Sequence, residues 1–245
     1  MADFTISLAG IPIGISLFHP DIQWFFSDYL SNETPLFSVG VTEKDIAYER
    51  ICAERDNAGE DGEKLIFPDR NLEVISILRS IASRLPEYDT VLFHGSAIAV
   101  DGRAYIFAAP SGTGKTTHTR LWLEQIPGSH ILNGDKPFLK VQPDGSVLAC
   151  GVPWRGKEDL GCSEILPLEA ICLLERSQTN RIMPLEPKDA ISGLLRQTNM
   201  PEEPLGKIRT LQLLDQICRS VRLFHLGCNM EPEAARVSMA AMIPR

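Results

Sequence analysis

The chain has 245 residues, 44% of them hydrophobic and 23% charged, with a formal net charge of −8. That is enough for one large globular domain, or one domain with a small appendage, and the acidity leaves no general basic footprint for nucleic acid. No apolar run reaches the about 18 residues that span a bilayer, and no basic stretch precedes the first apolar residues, so neither a membrane partner nor a secretory signal is expected.

Phe4 to Ala9 and Ile11 to Phe18 read as two strands around Gly10, a hairpin. Pro20 to Leu30 reads as a helix opening with Pro20 and Asp21; its Trp24, Phe25 and Phe26 read as core rather than as a cofactor box. Leu36 to Val41 and Asp45 to Ala53 look like two further strands. Glu54 to Lys64, charged and carrying Gly59 and Gly62, reads as a solvated loop whose carboxylates suit no particular coordination shell. Asp69 to Leu85 sets Leu72, Ile75, Leu78, Ala82 and Leu85 on one helical face, and Pro86 ends it. Residues 1–68 are therefore expected to form a small β-rich lobe, and residues 69–245 a nucleotide-binding core with C-terminal helices.

Thr90 to Val100 reads as a buried strand interrupted by His94, Gly95 and Ser96, and Asp101-Gly102 is a hairpin signal. That hairpin joins it to a short apolar run, Tyr105 to Ala108. There follows Ala109-Pro110-Ser111-Gly112-Thr113-Gly114-Lys115-Thr116, which fits the phosphate-loop pattern with Ala in place of the first Gly. Thr117 to Gln125 reads as a helix, so the motif stands in the strand–loop–helix context it requires. Gly112 and Gly114 permit backbone conformations that aim consecutive N–H groups at phosphate oxygens, at the positive end of a helix. Pro110 to Thr117 are the candidate nucleotide contacts. Among them Lys115 would reach the β- and γ-phosphates and Thr116 would ligate Mg²⁺.

Ile131 and Leu132 are short strand material leading to Asn133-Gly134-Asp135-Lys136-Pro137. A carboxylate at a strand end beside a phosphate loop can hold Mg²⁺ or take a proton from a nucleophile; Asp135 also reads as an ordinary turn aspartate. Phe138 to Val141 and Ser146 to Cys150 form another hairpin. In Gly151 to Gly161, Trp154, Arg155 and Lys157 are candidates for charge stabilisation or base contact, against an ordinary surface loop. Leu168 to Glu175 mimics a Walker B strand, with Glu175 read as a strand-end residue. Residues 187–198, 203–220 and 231–243 read as helices, with a strand over Val221 to Gly227 that contains His225, read as structural. The six cysteines, Cys52, Cys150, Cys162, Cys172, Cys218 and Cys228, form no C-x-x-C pair, so they read as core thiols of a reduced, cytoplasmic protein.

His94-Gly95-Ser96-Ala97, Ser111 to Thr117 and Asn133-Gly134-Asp135, in that order, resemble the P-loop family that unites HPr serine kinase/phosphorylase with ATP-dependent phosphoenolpyruvate carboxykinase. The similarity covers about residues 90–175. It implies an α/β fold with a mixed, partly antiparallel sheet and flanking helices, and a site for ATP and Mg²⁺. Thr116 and Asp135 would be metal ligands, His94 would lie near the transferred phosphate, and Asp135 would act as base. The family's second acid is replaced here by Lys136. The chain is too short for a full carboxykinase, so that activity is not expected. The expected activity is an ATP-dependent kinase acting on a hydroxyl, a serine of a peptide or protein or a small metabolite, with Asp135, His94, Lys115 and Arg155 as catalytic groups. Lys157 is a further nucleotide contact. The alternatives are a conventional P-loop ATPase or GTPase using Glu175, and a non-catalytic nucleotide-binding regulator.

Overall fold

Two residues with positive φ close the first hairpin. Phe4–Leu8 (β1) and Ile11–Ser16 (β2) pair antiparallel through Ala9 and Gly10, at φ 53° and 69°, the backbone that a two-residue turn needs to match strand twist. The computed structural model describes residues 3–57 and 67–244. Contacts divide the chain into two units, Met1–Arg84 and Leu85–Arg245.

In the first unit, Leu30–Ser31 (β3) and Phe37–Gly40 (β4) complete a sheet of order β3-β1-β2-β4. Pro20–Tyr29 is a 3₁₀ helix. It buries Phe26 fully but leaves Trp24 71% exposed, so the aromatic triplet is not uniformly core. Glu43–Asn57 is a helix (α1) where Asp45 to Ala53 reads as a strand. The reason is its start: the Thr42 N–H and hydroxyl donate to the Asp45 carboxylate at 2.8 and 2.6 Å, a side-chain cap that holds the first turn. The expected charged loop thus begins inside α1, and its residues 58–64 lie outside the described residues.

Asp69–Arg84 (α2) is the expected helix, and of the expected face Leu72, Leu78, Ala82 and Leu85 are buried. Ile75 is exposed, while Leu72, Ile77 and Ile81 are fully buried beside Glu73. The Glu73 carboxylate accepts from the backbone N–H groups of Phe18 (2.7 Å) and His19 (3.0 Å) and meets His19 Nδ1 at 2.6 Å. A buried carboxylate must be satisfied in this way. These bonds tie α2 to the segment that follows β2, within the unit Met1–Arg84.

The second unit holds Thr90–Leu92 (β5), Ser96–Val100 (β6), Arg103–Ala108 (β7), Lys115–Gln125 (α3), His130–Asn133 (β8), Phe138–Val141 (β9) and Val147–Cys150 (β10). It continues with Ile165–Arg176 (β11), Arg181–Pro184 (β12), Pro187–Gln197 (α4), Pro204–Ser220 (α5), Arg222–Cys228 (β13) and Pro232–Met242 (α6). The strand β12 carries no clear sequence signal. The sheet runs β5-β9-β10-β11-β7-β6-β8, with β13 beside β11 and β12 on β13. Strand β6 is antiparallel to β7 through Asp101 and Gly102, and antiparallel to β8; β11 is parallel to both β7 and β13.

Side chains alternate across this sheet. Ile106 and Ile171 pack with Leu194, Leu213 and Ile217 of α4 and α5. Tyr105, Phe107 and Cys172 pack with Trp122, Ala235 and Met242 of α3 and α6. Each fully buried large side chain contributes about 1.5–3 kcal/mol. The result is a mixed α/β fold with helices on both faces of a mixed sheet. Its strand directions have one consequence for function. The C-terminal ends of β7, β8, β11 and β13 and the N-terminal end of β6 share one sheet edge, the edge where open α/β sheets carry their ligands.

Candidate functional site at one sheet edge

Strand β7 leaves this edge at Ala108 and turns through the glycine loop into α3. Gly112 and Gly114 have φ of 74° and 117°, and Gly114 caps α3 in the left-handed region. Lys115 bends back so that Nζ donates to the Ala109 carbonyl at 2.8 Å. Burial lowers the Lys115 pKa, against the opposing pull of the Asp135 carboxylate. Pro110, Ser111, Gly112, Thr116 and Thr117 are exposed, and Thr113 and Gly114 half-buried.

His94 and Asp135 arrive at the same edge from β5 and β8. Phe93 N donates to Pro137 O at 3.1 Å and Gly95 N to Asp135 O at 2.9 Å, so the two segments run side by side. His94 Nε2 lies 3.2 Å from Asp135 Oδ1, and Lys136 Nζ contacts Oδ2. Burial alone would raise the Asp135 pKa. The hydrogen bond with His94 and the charge of Lys136 outweigh it and hold the carboxyl well below the usual range. Asp135 is therefore ionised, with both oxygens engaged.

Asn133, fully buried, fixes this carboxylate. Its Oδ1 accepts from the N–H groups of Asp135 (2.9 Å) and Lys136 (2.7 Å), and its Nδ2 donates to the carbonyls of Val152 (3.0 Å) and Trp154 (3.3 Å). The 152–161 loop is thereby laid over the Asp135 turn. Gly156, at φ 82°, passes so close that an added Cβ would come within 2.8 Å of Asp135 Cβ. Arg155 is half-buried against Gly161, whereas Lys157 is exposed. Trp154 is buried and stacked on Phe138 at 6.5 Å, which removes it as a platform for a base. Arg120 of α3 pairs with Glu158 at 2.7 Å, connecting this loop to the helix that follows the glycine loop.

Three contributors carry no motif. The Arg176 guanidinium, at the end of β11, donates to the Gly112 carbonyl and, at 3.4 Å, to that of Thr113. With its amide turned to donate, Gln197 of α4 reaches the carbonyls of Ala109 (3.2 Å) and His94 (3.3 Å). The Thr119 hydroxyl donates to Ser96 Oγ at 3.1 Å, in the core beneath. Pro110 to Thr113, Leu174, Glu175 and Arg176 line an open cleft of about 630 Å³. Glu175 is 69% exposed on its side chain and lies 3.2 Å from His225 Nε2, which puts His225 at the cleft's border. Among the described residues no helix is long and apolar enough to cross a membrane.

Residues 66–226 match the family described as SynChlorMet cassette protein ScmC, and the chain belongs to that family. Among solved structures, the HPr(Ser) kinase/phosphatase from Coxiella burnetii is similar at 12% identity and a TM-score of 0.35, over 61% of this chain and 93% of that one.

Proposed function

We propose that this member of the ScmC family is an ATP-dependent phosphotransferase whose acceptor is a hydroxyl, a serine of a peptide or protein or a small hydroxylated metabolite. The observation that carries the reading is the 3.2 Å pair of His94 Nε2 and Asp135 Oδ1, at the edge where the glycine loop begins. A glycine loop alone binds phosphate. A half-buried, ionised carboxylate held beside it gives an acceptor hydroxyl something to be oriented by.

In the proposed reaction the N–H groups of Ser111 to Thr116 cradle the phosphates and the Lys115 ammonium leaves Ala109 to meet them. The acceptor oxygen bonds to the γ-phosphorus as the bond to the β,γ-bridging oxygen breaks, and ADP leaves. Asp135 accepts the hydroxyl's hydrogen bond and then its proton. A carboxylate with so low a pKa is a weak base, which suits a loose transition state in which the acceptor loses its proton late. His94 orients Asp135, and Arg155 faces the transferring charge. Exposed Thr116 and half-buried Asp135 offer the hard oxygen donors that Mg²⁺ takes, and the ion would neutralise phosphate charge there.

The test is transfer of label from [γ-³²P]ATP to serine peptides and small polyols. Asp135→Asn is expected to lose on the order of 100-fold in rate while retaining nucleotide-dependent thermal stabilisation. Equal turnover in both proteins removes Asp135 from the reaction, and stabilisation with no transfer to any acceptor favours a regulator. A second reading has its own observation. Glu175 ends a strand parallel to β7 and lines the cleft beside Ser111. A water-activating Glu175 predicts that Glu175→Gln traps nucleotide and that His94→Ala is harmless.

A further inference from the structure

A second cluster of ligating side chains lies at the start of β8. His130, Cys162 and Glu164 each present one donor atom, and these atoms all lie within 4.8 Å of one another. His130 Nε2 and Glu164 Oε2 are 3.1 Å apart. We propose that this triad is a site for a divalent transition ion, Zn²⁺ by its chemistry, distinct from the nucleotide edge.

The backbone explains the convergence. Asn133 bridges Gly161 antiparallel, and Cys162 N donates to Leu132 O at 3.1 Å. Continued along the chain, that register sets Glu164 opposite His130. Cys162 and Glu164, two residues apart on an extended segment, then fall on one face. Gly151 N holds the Glu164 carbonyl at 2.9 Å, so the segment is anchored from its other side as well. No Cys-x-x-Cys spacing marks the site because its donors come from two paired segments far apart in sequence.

The donor set selects the ion. Tetrahedral zinc bonds imidazole, thiolate and carboxylate at about 2.0–2.3 Å, which puts donors about 3.3–3.8 Å apart. The His130–Glu164 pair, at 3.1 Å, needs to open only slightly to reach that spacing, and Cys162, within 4.8 Å of both, has at most about 1.5 Å to close. A mixed nitrogen, sulfur and oxygen set suits zinc and does not suit Mg²⁺, which demands oxygen ligands. Three protein donors leave a fourth position for water. The plainer reading is a surface histidine–glutamate ion pair beside an uninvolved thiol. It differs on one point, because it gives the sulfur no bond to a metal. As for any thiol ligand, Cys162 would release its proton on binding.

The experiment uses the full chain, chelator-treated and kept reduced, titrated with Co²⁺ as a spectroscopic substitute and then with Zn²⁺. The expected result is a saturable thiolate-to-cobalt charge-transfer band at one equivalent, displaced by Zn²⁺. Cys162→Ser should abolish the band, His130→Ala should weaken binding at least tenfold, and exposed Glu164→Gln should weaken it severalfold with melting temperature unchanged. A wild-type titration without a charge-transfer band overturns the proposal. So does a band that survives in Cys162→Ser, since another cysteine then carries it. The titration contains no nucleotide, so its outcome is independent of whether the chain transfers phosphate.

Discussion

Replacing Asn133 by Leu tests whether the Asp135 carboxylate is fixed from below. The side chains are similar in volume, but Leu can neither donate nor accept. The change removes the hydrogen bonds from the Asp135 and Lys136 N–H groups and those to the carbonyls of Val152 and Trp154. Val152 and Trp154 are buried, so water cannot easily reach their carbonyls. At about 1 kcal/mol net for each bond, and more where a buried group stays unsatisfied, the loss is about 4 kcal/mol. For a unit of this size that is a fall of about 8–16 °C in melting temperature. Circular dichroism melts measure it, and phosphate transfer on the folded variant should fall further than Asp135→Asn alone explains, because the 152–161 loop is released as well. A variant that melts within about 2 °C of wild type, with transfer intact, would refute the reasoning.

Gly156→Ala puts a Cβ against Asp135 at a positive φ; it should cost about 1 kcal/mol in urea unfolding but at least tenfold in transfer, the disproportion marking a displaced carboxylate. Arg176→Met removes the guanidinium that holds the carbonyls of Gly112 and Thr113; nucleotide affinity, read by calorimetry, should weaken about tenfold, or about 1.4 kcal/mol, with little change in melting. The buried His118 has its pKa lowered to about 4 by desolvation, against about 6.5 in the unfolded chain. The unfolded state therefore binds the extra proton between these values, so stability is full above pH 6.5 and is lost on acidification toward pH 4. Urea unfolding at pH 7.5 and 5.0 should show about 2 kcal/mol less stability at the lower pH from this group. His118→Leu should remove that share of the slope, and an unchanged slope would exclude His118 as its source.

The glycine loop is legible in sequence because its chemistry is local: Gly112, Gly114 and Lys115 must be adjacent for the turn to work. The hairpin at Asp101-Gly102 is legible for the same reason. Asp45 to Ala53 is misread because Ile46 and Tyr48 suggest alternation, while the deciding signal is the Thr42–Asp45 cap, one short contact before the run. Trp154 is misread because nothing local distinguishes an aromatic side chain that stacks on Phe138 from one offered to a base. Arg176 and Gln197 are visible as residues but not as parts of a site, and Asn133 is visible as part of a motif but not in its role. Their partners, the carbonyls of Gly112, Ala109 and Trp154, are set by tertiary pairing of strands far apart in sequence. The His130–Cys162–Glu164 cluster is hidden likewise, since strand register alone assembles it.

Lys136, standing where a second acid would be expected, changes how the site must work. In the structure the two Asp135 oxygens contact His94 and Lys136, so a metal or a hydroxyl must compete for them. Lys115 is likewise turned onto Ala109. Both ammonium groups are held by weaker partners than a triphosphate, whose charge and several oxygens offer them stronger, charge-assisted bonds. On the proposed reading, nucleotide arrival draws Lys115 off a carbonyl and Lys136 off a carboxylate, and Asp135 is freed only when the donor is bound. A second acid would place another negative charge beside the incoming phosphates. A lysine there supplies positive charge and also keeps the lone carboxylate occupied until the donor arrives.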